Sequence, residues 1–456
     1  YDHMMLDGLE DAYEPGRAMG TFGEECAAKY NFSREAQDAF ATASVAAFDF
    51  LYLVELGRRG YVAPTFERPS EAGEPVVGGQ ILPPLPGLHK NVLVFDFRSL
   101  YPSVMRTFQI DPLGLITSDG DPEPDPIVAP SGARFRRQRG ILTVILDKLL
   151  PLRSAAKSQG NEAQSQAIKL LMNSLYGVLG SPSCRFHRPE LANAVTSFGR
   201  ALLTWTQARL EHYGHRVLYG DTDSLFVLSN LDDHADQAAL TQVGQALLAR
   251  LNAELSSYIG ETWRLESRIE LALHSVYAQL LLHRQRGKDK GAAKRYAGMI
   301  WKGGEPKLHF VGLEAVRSDA SALSKQVQQN LYALLFAAAP PMQVELYLER
   351  TIAELLAGKL DDLLVYRKTL RREPGDYIAK HAPHVVVGAR HRLLPGSIVP
   401  FVITTAGPEH PDHRQHAIDY AHYLEKQVRT VAEPVLLHYS LPFSRFEKAS
   451  PQLRLL

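Results

Sequence analysis

Cysteine is nearly absent: Cys26 and Cys184 are the only two in 456 residues. So small a number excludes a disulfide framework and any cysteine-rich zinc or iron–sulfur site, and a bound metal would have to be held by oxygen. Long apolar runs are missing too. No stretch approaches the ~18 to 20 residues of a membrane span, and the N-terminus, Tyr1-Asp2-His3, lacks the basic-then-apolar pattern of a signal peptide. An intracellular protein that crosses no membrane is therefore expected. Net charge is also lacking, because 50 Lys and Arg cancel 50 Asp and Glu; any nucleic-acid footprint must then be a local patch rather than a global field. What is present is ordinary for a globular chain: hydrophobic residues at 45% and charged residues at 22% rule out wholesale disorder, collagen-like repeats and coiled coil. The length allows roughly three domains at about 150 residues each.

The basic residues are unevenly spread. Arg134, Arg136, Arg137 and Arg139 form one cluster; Arg284, Arg286, Lys288, Lys290, Lys294 and Arg295 a second; Arg367, Lys368, Arg371 and Arg372 a third. A charge run is more often a solvated face than a binding surface, so each cluster needs independent support.

Residues 1–48 read as helical, with capping-box spacing at Thr21 and Glu24 and a second helix opened by Ser33 and Glu35 and running through Phe40. A linker follows, since Thr65 to Gly87 carries Pro69, Pro75, Gly78, Gly79, Pro83, Pro84 and Pro86. The run Asn91-Val92-Leu93-Val94-Phe95 has the pattern of a buried strand. A second breaker-rich stretch spans Gly120 to Gly140, after which Ile141 to Lys157 and Glu162 to Leu179 read as a helical hairpin joined across Gly160-Asn161. Residues 184–315 mix helices, about 187–213 and 235–257, with strands around 215–227 and 268–283; from about 318 onward the chain reads as mainly helical. The fold class is α+β.

Asp96 stands at the end of the apolar strand, where a carboxylate can project into a cleft from a rigid support. Tyr219-Gly220-Asp221-Thr222-Asp223-Ser224, flanked by Arg216-Val217-Leu218 and Leu225-Phe226-Val227-Leu228, reads as a tight β-hairpin with acids at its tip. Asp221 and Asp223 are two apart, so an extended chain would turn them to the same side. Two acids on one hairpin and a third from another strand are what two magnesium ions need, because hard cations take oxygen ligands and keep positions for substrate phosphates. Asp221 alone could equally be a turn former, whereas Asp96 and Asp223 are bounded by apolar strand residues, where an uncompensated carboxylate is costly. On the helical hairpin Arg153 and Lys157 are four apart, and Lys169, Asn173 and Tyr176 follow at spacings of four and three, so each set shares a face. Cations and a planar aromatic on one side of a two-helix arm suit a triphosphate and its base, although each taken singly reads as a solvated lysine or a core tyrosine.

Asp96-Phe97-Arg98-Ser99-Leu100-Tyr101-Pro102-Ser103 resembles motif A of the family B DNA polymerases. Lys169-Leu170-Leu171-Met172-Asn173-Ser174-Leu175-Tyr176-Gly177 resembles their motif B, and Tyr219 to Ser224 their motif C. Lys294-Arg295-Tyr296 is similar to the family's primer-gripping motif, and Gly312-Leu313-Glu314-Ala315-Val316-Arg317-Ser318-Asp319 to its palm–thumb junction. The motifs stand in the family's order, and Arg106-Thr107-Phe108-Gln109-Ile110-Asp111-Pro112 is similar to the bacterial polymerase II branch. The resemblance covers about residues 45–456.

It implies a right-hand polymerase with an antiparallel-sheet palm, helical-hairpin fingers and a mainly helical thumb. Residues 45–90 would be a linker region leading into the palm, 91–139 the first part of the palm, 140–182 the fingers, 183–317 the second part of the palm and 318–456 the thumb. The implied activity is template-directed addition of deoxynucleotides to a primer 3′-hydroxyl by two-metal phosphoryl transfer, with Mg2+ as cofactor and Mn2+ as a substitute. Asp96, Asp221 and Asp223 would be catalytic. Asp96 and Asp223, with the Phe97 carbonyl, would hold the ions while Asp221 supports them. Ser99 and Leu100 would offer amides to the phosphates, favoured if a helix begins there. Tyr101 would pack under the sugar and exclude a 2′-hydroxyl. Arg153, Lys157, Lys169 and Asn173 would grip the triphosphate, and Tyr176 would flank the nascent base pair. Gly177, Thr222, Lys294, Arg295, Tyr296 and Arg317 would contact primer–template DNA, mainly through phosphates and shape, which implies a marked salt dependence. Gln452, Leu453, Leu455 and Leu456 are similar to the terminal peptide by which bacterial polymerases dock in a sliding clamp. A bacterial cytoplasmic, nucleoid-associated protein of DNA replication or repair is implied.

The chain departs from that pattern in places. The family's N-terminal lobe and 3′–5′ exonuclease domain have no room before the linker, so no proofreading is expected, and the linker's usual Tyr-x-Gly-Gly reads Val76-Val77-Gly78-Gly79. Residues 1–44 instead resemble a helical stretch of the CoA thiolases downstream of their nucleophilic cysteine, through Asp2 to Tyr13, Met19-Gly20-Thr21 and Ser33 to Ala41. Cys26 sits in Glu25-Cys26-Ala27 and no Gly-His-Pro or Cys-x-Gly-Gly segment follows, so no acyl transfer is expected from what reads as a chimera. Two other readings stand beside the polymerase: a DNA-binding polymerase remnant with little catalysis, and a thiolase-class acyltransferase. Primer extension against mere DNA retention separates the first from an active enzyme.

Overall fold

Phe48, Tyr52 and Leu56 stand four residues apart and bury one stripe of helix α1 (Arg34–Arg58). This computed structural model describes residues 34–65, 76–117, 123–285, 290–377 and 379–447, with 34–44 as backbone alone. The thiolase-like residues 1–33 and the clamp-like Gln452, Leu453, Leu455 and Leu456 lie outside the described residues. A linker is expected after about residue 48, but α1 runs on to Arg58. Residues 49–58 contain no proline, their one glycine falls in the last turn, and the apolar stripe gives the helix something to pack.

The chain divides into two compact units, residues 1–84 with 90–277 and residues 85–89 with 278–456. In the first, β1 (Ile81–Leu82) precedes β2 (Gly87–Phe97), whose residues 91–97 are all buried, as the apolar run predicts. Helix α2 (Leu100–Thr107) follows at once. The breaker-rich stretch up to Gly140 is more ordered than its composition suggests: β3 (Leu115–Ile116), β4 (Ile127–Val128) and β5 (Arg134–Phe135) form a small sheet in the order β3-β5-β4. Prolines and glycines hold each strand to two residues without preventing the pairing.

The helical hairpin stands where the sequence puts it, as α3 (Ile141–Ser158) and α4 (Glu162–Leu179). Gly160 turns the chain with φ 68°, and the Asn161 side chain caps α4 by accepting from the Gln164 amide at 3.1 Å. α5 (Pro189–His212) leads into β6 (Val217–Asp221) and β7 (Ser224–Leu228), then α6 (Gln237–Trp263) and β8 (Leu271–Arg284). The strand order is β1-β6-β7-β2-β8, and the β1–β6, β6–β7 and β7–β2 pairs are antiparallel. Phe108 stacks on Phe198 at 9°, and Trp263 meets both edge-on, which pins α5 and α6 to the end of α2.

In the second unit β9 (Gly291–Lys302) and β10 (Glu305–Val311) form a hairpin absent from the sequence reading. Its two-residue loop is Gly303-Gly304, both with positive φ, a turn chemistry that glycine alone adopts readily. Helices α7 (Ala322–Phe336) and α8 (Pro341–Leu356) follow. The remainder is not simply helical: β11 (Tyr366–Thr369), β12 (Ile398–Thr404) and β13 (Gly407–Glu409) make a three-stranded sheet flanked by α9 (Pro383–Arg390). The chain then runs through α10 (Tyr420–Tyr423), a π-helical turn at Leu424–Arg429, α11 (Thr430–His438) and α12 (Ser444–Glu447). Leu331, Val344, Leu348, Leu355, Val428 and Val431 are fully buried in the core of this unit. Among the described residues no helix is long and apolar enough to cross a membrane.

Candidate active site

The antiparallel β2–β7 pair sets Asp96 opposite Ser224, and the Phe97 amide donates to the Asp223 carbonyl at 2.9 Å. One register step therefore separates Asp96 from Asp223, although the two are far apart in sequence. Asp96 is 7% exposed and lies between the fully buried Phe95 and Phe97, burial that a carboxylate tolerates only with compensating charge.

The acidic hairpin has the expected form, with Thr222 and Asp223 as its two-residue turn and Asp221 paired with Ser224. Thr222 is left-handed at φ 53°. The chain is thus not extended from Asp221 to Asp223, and the inference that their spacing turns both to one side does not hold. Asp221 instead follows the strand alternation with Tyr219, whose hydroxyl donates to its Oδ2 at 2.6 Å, while Thr222 Oγ1 donates to Oδ1 at 3.3 Å. Asp223 is half-buried.

Ser99 is left-handed at φ 48° and stands as the N-cap of α2, so the helix begins at Leu100. The amides of Leu100 and Tyr101 belong to its first turn, where backbone N–H groups have no intrahelical acceptor; Pro102 next in line has no N–H. The Tyr101 ring packs on the Tyr176 ring of α4, with centroids 4.6 Å apart. On the hairpin Arg153 is half-buried and Lys157 exposed on α3; on α4 Lys169 is only 5% exposed, Asn173 is half-buried and Gly177 exposed.

The remaining candidates belong to the second unit. Lys294 is left-handed at φ 60°, and a Cβ at Gly312 would stand 2.0 Å from its carbonyl oxygen. Arg295 pairs with Glu314 at 2.7 Å, and Gln328 donates to the same carboxylate at 2.9 Å. Burial works to raise the Glu314 carboxyl, but the Arg295 charge and these hydrogen bonds outweigh it and the net shift is downward. Arg317 grips Asp319 through two nitrogens at 2.9 and 2.8 Å. Tyr296, expected to touch DNA, is 3% exposed: it anchors β9 opposite Val311.

The basic clusters divide the same way. Arg137 and Arg139 of the first are taken up by Asp125 and Asp147, whereas Arg367, Lys368, Arg371 and Arg372 of the third lie exposed. Asp111, which the sequence marks only as part of the stretch Arg106 to Pro112, has a structural role. It is wholly buried and accepts from the Tyr52 hydroxyl at 2.7 Å, the Leu113 amide at 2.9 Å and the Leu142 amide at 2.7 Å, so it ties α1 to the start of α3. Its partners Tyr52 and Leu142 are 59 and 31 residues away, and no local pattern announces them.

The site's oxygen-only donor set, the Asp96 carboxylate and Phe97 carbonyl at the end of β2 and the Asp223 carboxylate on the β6–β7 turn, suits a hard divalent cation. Among the described residues no three His, Cys, Asp or Glu side chains form a ready-made metal cluster.

Known proteins match this chain over most of its length. Residues 39–438 match the model of DNA polymerase family B, and residues 1–48 match the thiolase N-terminal domain. DNA polymerase II of Escherichia coli K12 is 40% identical over 407 residues, 86% of this chain and 51% of that protein. DNA polymerase 2 of Aeropyrum pernix is 28% identical over 407 residues, 83% of this chain and 47% of that protein. Among solved structures, the family B DNA polymerase of the hyperthermophilic archaeon Pyrobaculum calidifontis superposes with a TM-score of 0.57 at 28% identity, covering 84% of this chain and 49% of that one. The chain thus spans about half the length of the relatives it matches. With motifs A, B and C carried on one antiparallel sheet and one helical hairpin, and with the family match running across most of its length, the chain belongs to the family B DNA polymerases.

Proposed function

We propose that the chain is a template-directed DNA polymerase that adds deoxynucleotides to a primer 3′-hydroxyl. The observation that supports this reading best is the β2–β7 register, which brings Asp96 beside the turn that carries Asp221 and Asp223. Asp96 and Asp223, with the Phe97 carbonyl, would hold two Mg2+ ions, for which Mn2+ can substitute. When bound, these ions supply a lowered pKa for the attacking hydroxyl and charge compensation for the leaving pyrophosphate.

The chain's own residues do the rest by holding and orienting. Asp221, engaged by Tyr219 and Thr222, keeps the acidic turn in shape rather than facing substrate. The first-turn amides of α2, beside Ser99, bind phosphate oxygens at the positive end of the helix. Arg153, Lys157, Lys169 and Asn173 on the α3–α4 hairpin clamp the triphosphate, which makes residues 140–182 the fingers. Tyr101 lies under the sugar and Tyr176 beside the nascent pair. Gly177, Thr222 and Lys294 meet the primer–template, with Arg295 and Arg317 held for it by Glu314 and Asp319. Residues 91–139 and 183–317 act as the palm and 318–456 as the thumb. Base pairing supplies the sequence information, so the protein reads backbone and shape.

The test is extension of a labelled primer–template with Mg2+ and deoxynucleotides. Extension by the unmodified chain, abolished by Asp223→Ala and weakened by rising salt, is the expected result. Binding of DNA at low salt without any addition would mean that the fold is retained and the activity is not.

A further inference from the structure

The altered linker segment Val76 to Gln80 does not lie idle: it is laid along the acidic turn and bound there from both sides. On one side, Thr222 N–H donates to the Gln80 carbonyl at 2.9 Å, and β1 pairs Ile81 with Asp221 and Leu82 with Gly220. On the other, α5 grips the same segment. The Asn193 carboxamide oxygen accepts from the Val77 amide at 2.8 Å. Arg200 donates to the Gly78 carbonyl at 2.7 Å and to that of Val77 at 3.4 Å, and Thr204 Oγ1 donates to the Gln80 side chain at 3.2 Å. Asn193, Arg200 and Thr204 are seven and four residues apart, the spacing of a single helix face.

The fit is close. A Cβ on Gly79 would meet the Thr222 side chain at 2.9 Å from Cγ2 and 3.0 Å from Oγ1, so the segment approaches the turn at a distance only glycine permits. Thr222 itself is left-handed, a strained conformation that a β-branched residue keeps only where its surroundings hold it. The hydrogen bond from its N–H to the Gln80 carbonyl is such a hold, and Gln80 is in turn fixed by α5.

We propose that Val77–Gln80 is a positioning strap for the Asp221–Asp223 turn and that Arg200 is the positioning residue that sets it. The inference rests on the polymerase reading and deepens it: α5, which carries none of the family motifs quoted above, determines where Asp223 stands relative to Asp96. A guanidinium making charge-assisted bonds to consecutive carbonyls suits this task, because it fixes both the height and the angle of the backbone it holds. Small misplacements of a metal-binding carboxylate are expensive in rate, of order a hundredfold for about 1 Å.

Arg200→Ala in the full chain should accelerate hydrogen exchange at the Thr222 amide, with exchange in β9 and β10 unchanged. It should raise the Mg2+ concentration for half-maximal primer extension several-fold and lower kcat more than it raises the deoxynucleotide KM. Arg200→Lys, which can reach one carbonyl, should recover part of both. If the Arg200 variants do not fold, Gly79→Ala tests the same contact, because its Cβ pushes against the Thr222 side chain: it should accelerate exchange at the Thr222 amide and slow extension. Unchanged Thr222 exchange in Arg200→Ala, or in Gly79→Ala where the Arg200 variants do not fold, overturns the strap. Should the unmodified chain extend no primer, the polymerase reading fails, and the exchange measurement still decides the strap.

Discussion

The rings of Tyr101 and Tyr176 meet with centroids 4.6 Å apart and planes inclined at 48°, joining the first turn of α2 to the face of α4 that carries Lys169 and Asn173. Such a pair contributes about 0.5–1.5 kcal/mol beyond the area it buries. The two residues proposed to flank sugar and base therefore act as one surface. Tyr101→Ala should admit ribonucleotides, and Tyr176→Ala should relax the same discrimination to a lesser degree because it removes the support of the Tyr101 ring. The ratio of kcat/KM for deoxy- and ribonucleotides in both singles and the double variant measures this. Strictly additive effects would show that the contact carries no selectivity.

Asp221 and Asp223 should respond differently to neutralisation. Asp221 has both oxygens engaged within the hairpin, so Asp221→Asn should leave more extension activity than Asp223→Asn. Tyr219→Phe deletes one hydrogen bond to a buried carboxylate and should cost about 1–3 kcal/mol of stability. Primer extension and thermal melting of the three variants provide the check; equal losses for Asp221 and Asp223 would assign both the same role.

Tyr52→Phe should destabilise the protein more at neutral pH than in acid. Burial raises the Asp111 carboxyl, against hydrogen bonds from the Leu142 amide, the Tyr52 hydroxyl and the Leu113 amide that lower it. An acid whose folded pKa is raised favours its protonated form. Its contribution is complete below the ordinary value of 3.8 and is lost as pH rises through the raised one. Removing the Tyr52 donor raises that carboxyl further, so the penalty grows with pH to about 1–3 kcal/mol at neutrality. Urea unfolding of the variant and the parent across this range tests it, and a pH-independent difference would refute it.

His283 should make the chain acid-sensitive. Burial, aided by the Arg295 charge, lowers it from 6.5 to about 4, and its Nε2 lies 2.9 Å from the Tyr332 hydroxyl. A depressed imidazole contributes stability that is whole above pH 6.5 and is lost as pH falls toward about 4, because only the unfolded chain takes up the proton in that window. The loss amounts to about 3 kcal/mol. His283→Gln keeps a polar partner for Tyr332 and should flatten the profile; an unchanged slope between those pH values would falsify the assignment.

Gly312→Ala should be severe. The substitution combines a positive φ of 61° with a Cβ placed 2.0 Å from the Lys294 carbonyl oxygen, so strand β9 must move. A loss of at least about 2 kcal/mol is expected from strain alone, with weaker retention of primer–template as Lys294 shifts. A thermal midpoint within error of the parent would contradict the close approach.

Much of this site is legible in the sequence because its signals are local. The apolar run that ends in Asp96, the two-residue acidic turn and the helical spacing of Lys169, Asn173 and Tyr176 each declare themselves within a dozen residues. Tyr52, Asp111 and Leu142 do not, since what joins them is a fold rather than a pattern. The β9–β10 hairpin carries a readable signal in Gly303-Gly304 that the alanines and glycines of β9 and the proline of β10 disguise. The sheet at 366–409 is hidden by strands of seven residues or fewer embedded among helical segments. The contact of the Val76–Gln80 segment is hidden because proline and glycine normally mark slack chain, whereas a Cβ at Gly79 would collide with Thr222.

Helix α1 carries one further consequence. The thiolase-like match ends at residue 48 and the polymerase match begins at 39, so the two kinds of sequence overlap inside a single uninterrupted helix. Phe48, Tyr52 and Leu56 lock its C-terminal half in rotation as well as in place. A helix transmits angle: one residue inserted at Ser44 would swing the backbone at Arg34 by about 100° around the axis and push it about 1.5 Å along it. The two matched stretches therefore share one helical phase, and the direction of the backbone at Arg34 follows from the residue count between it and Phe48.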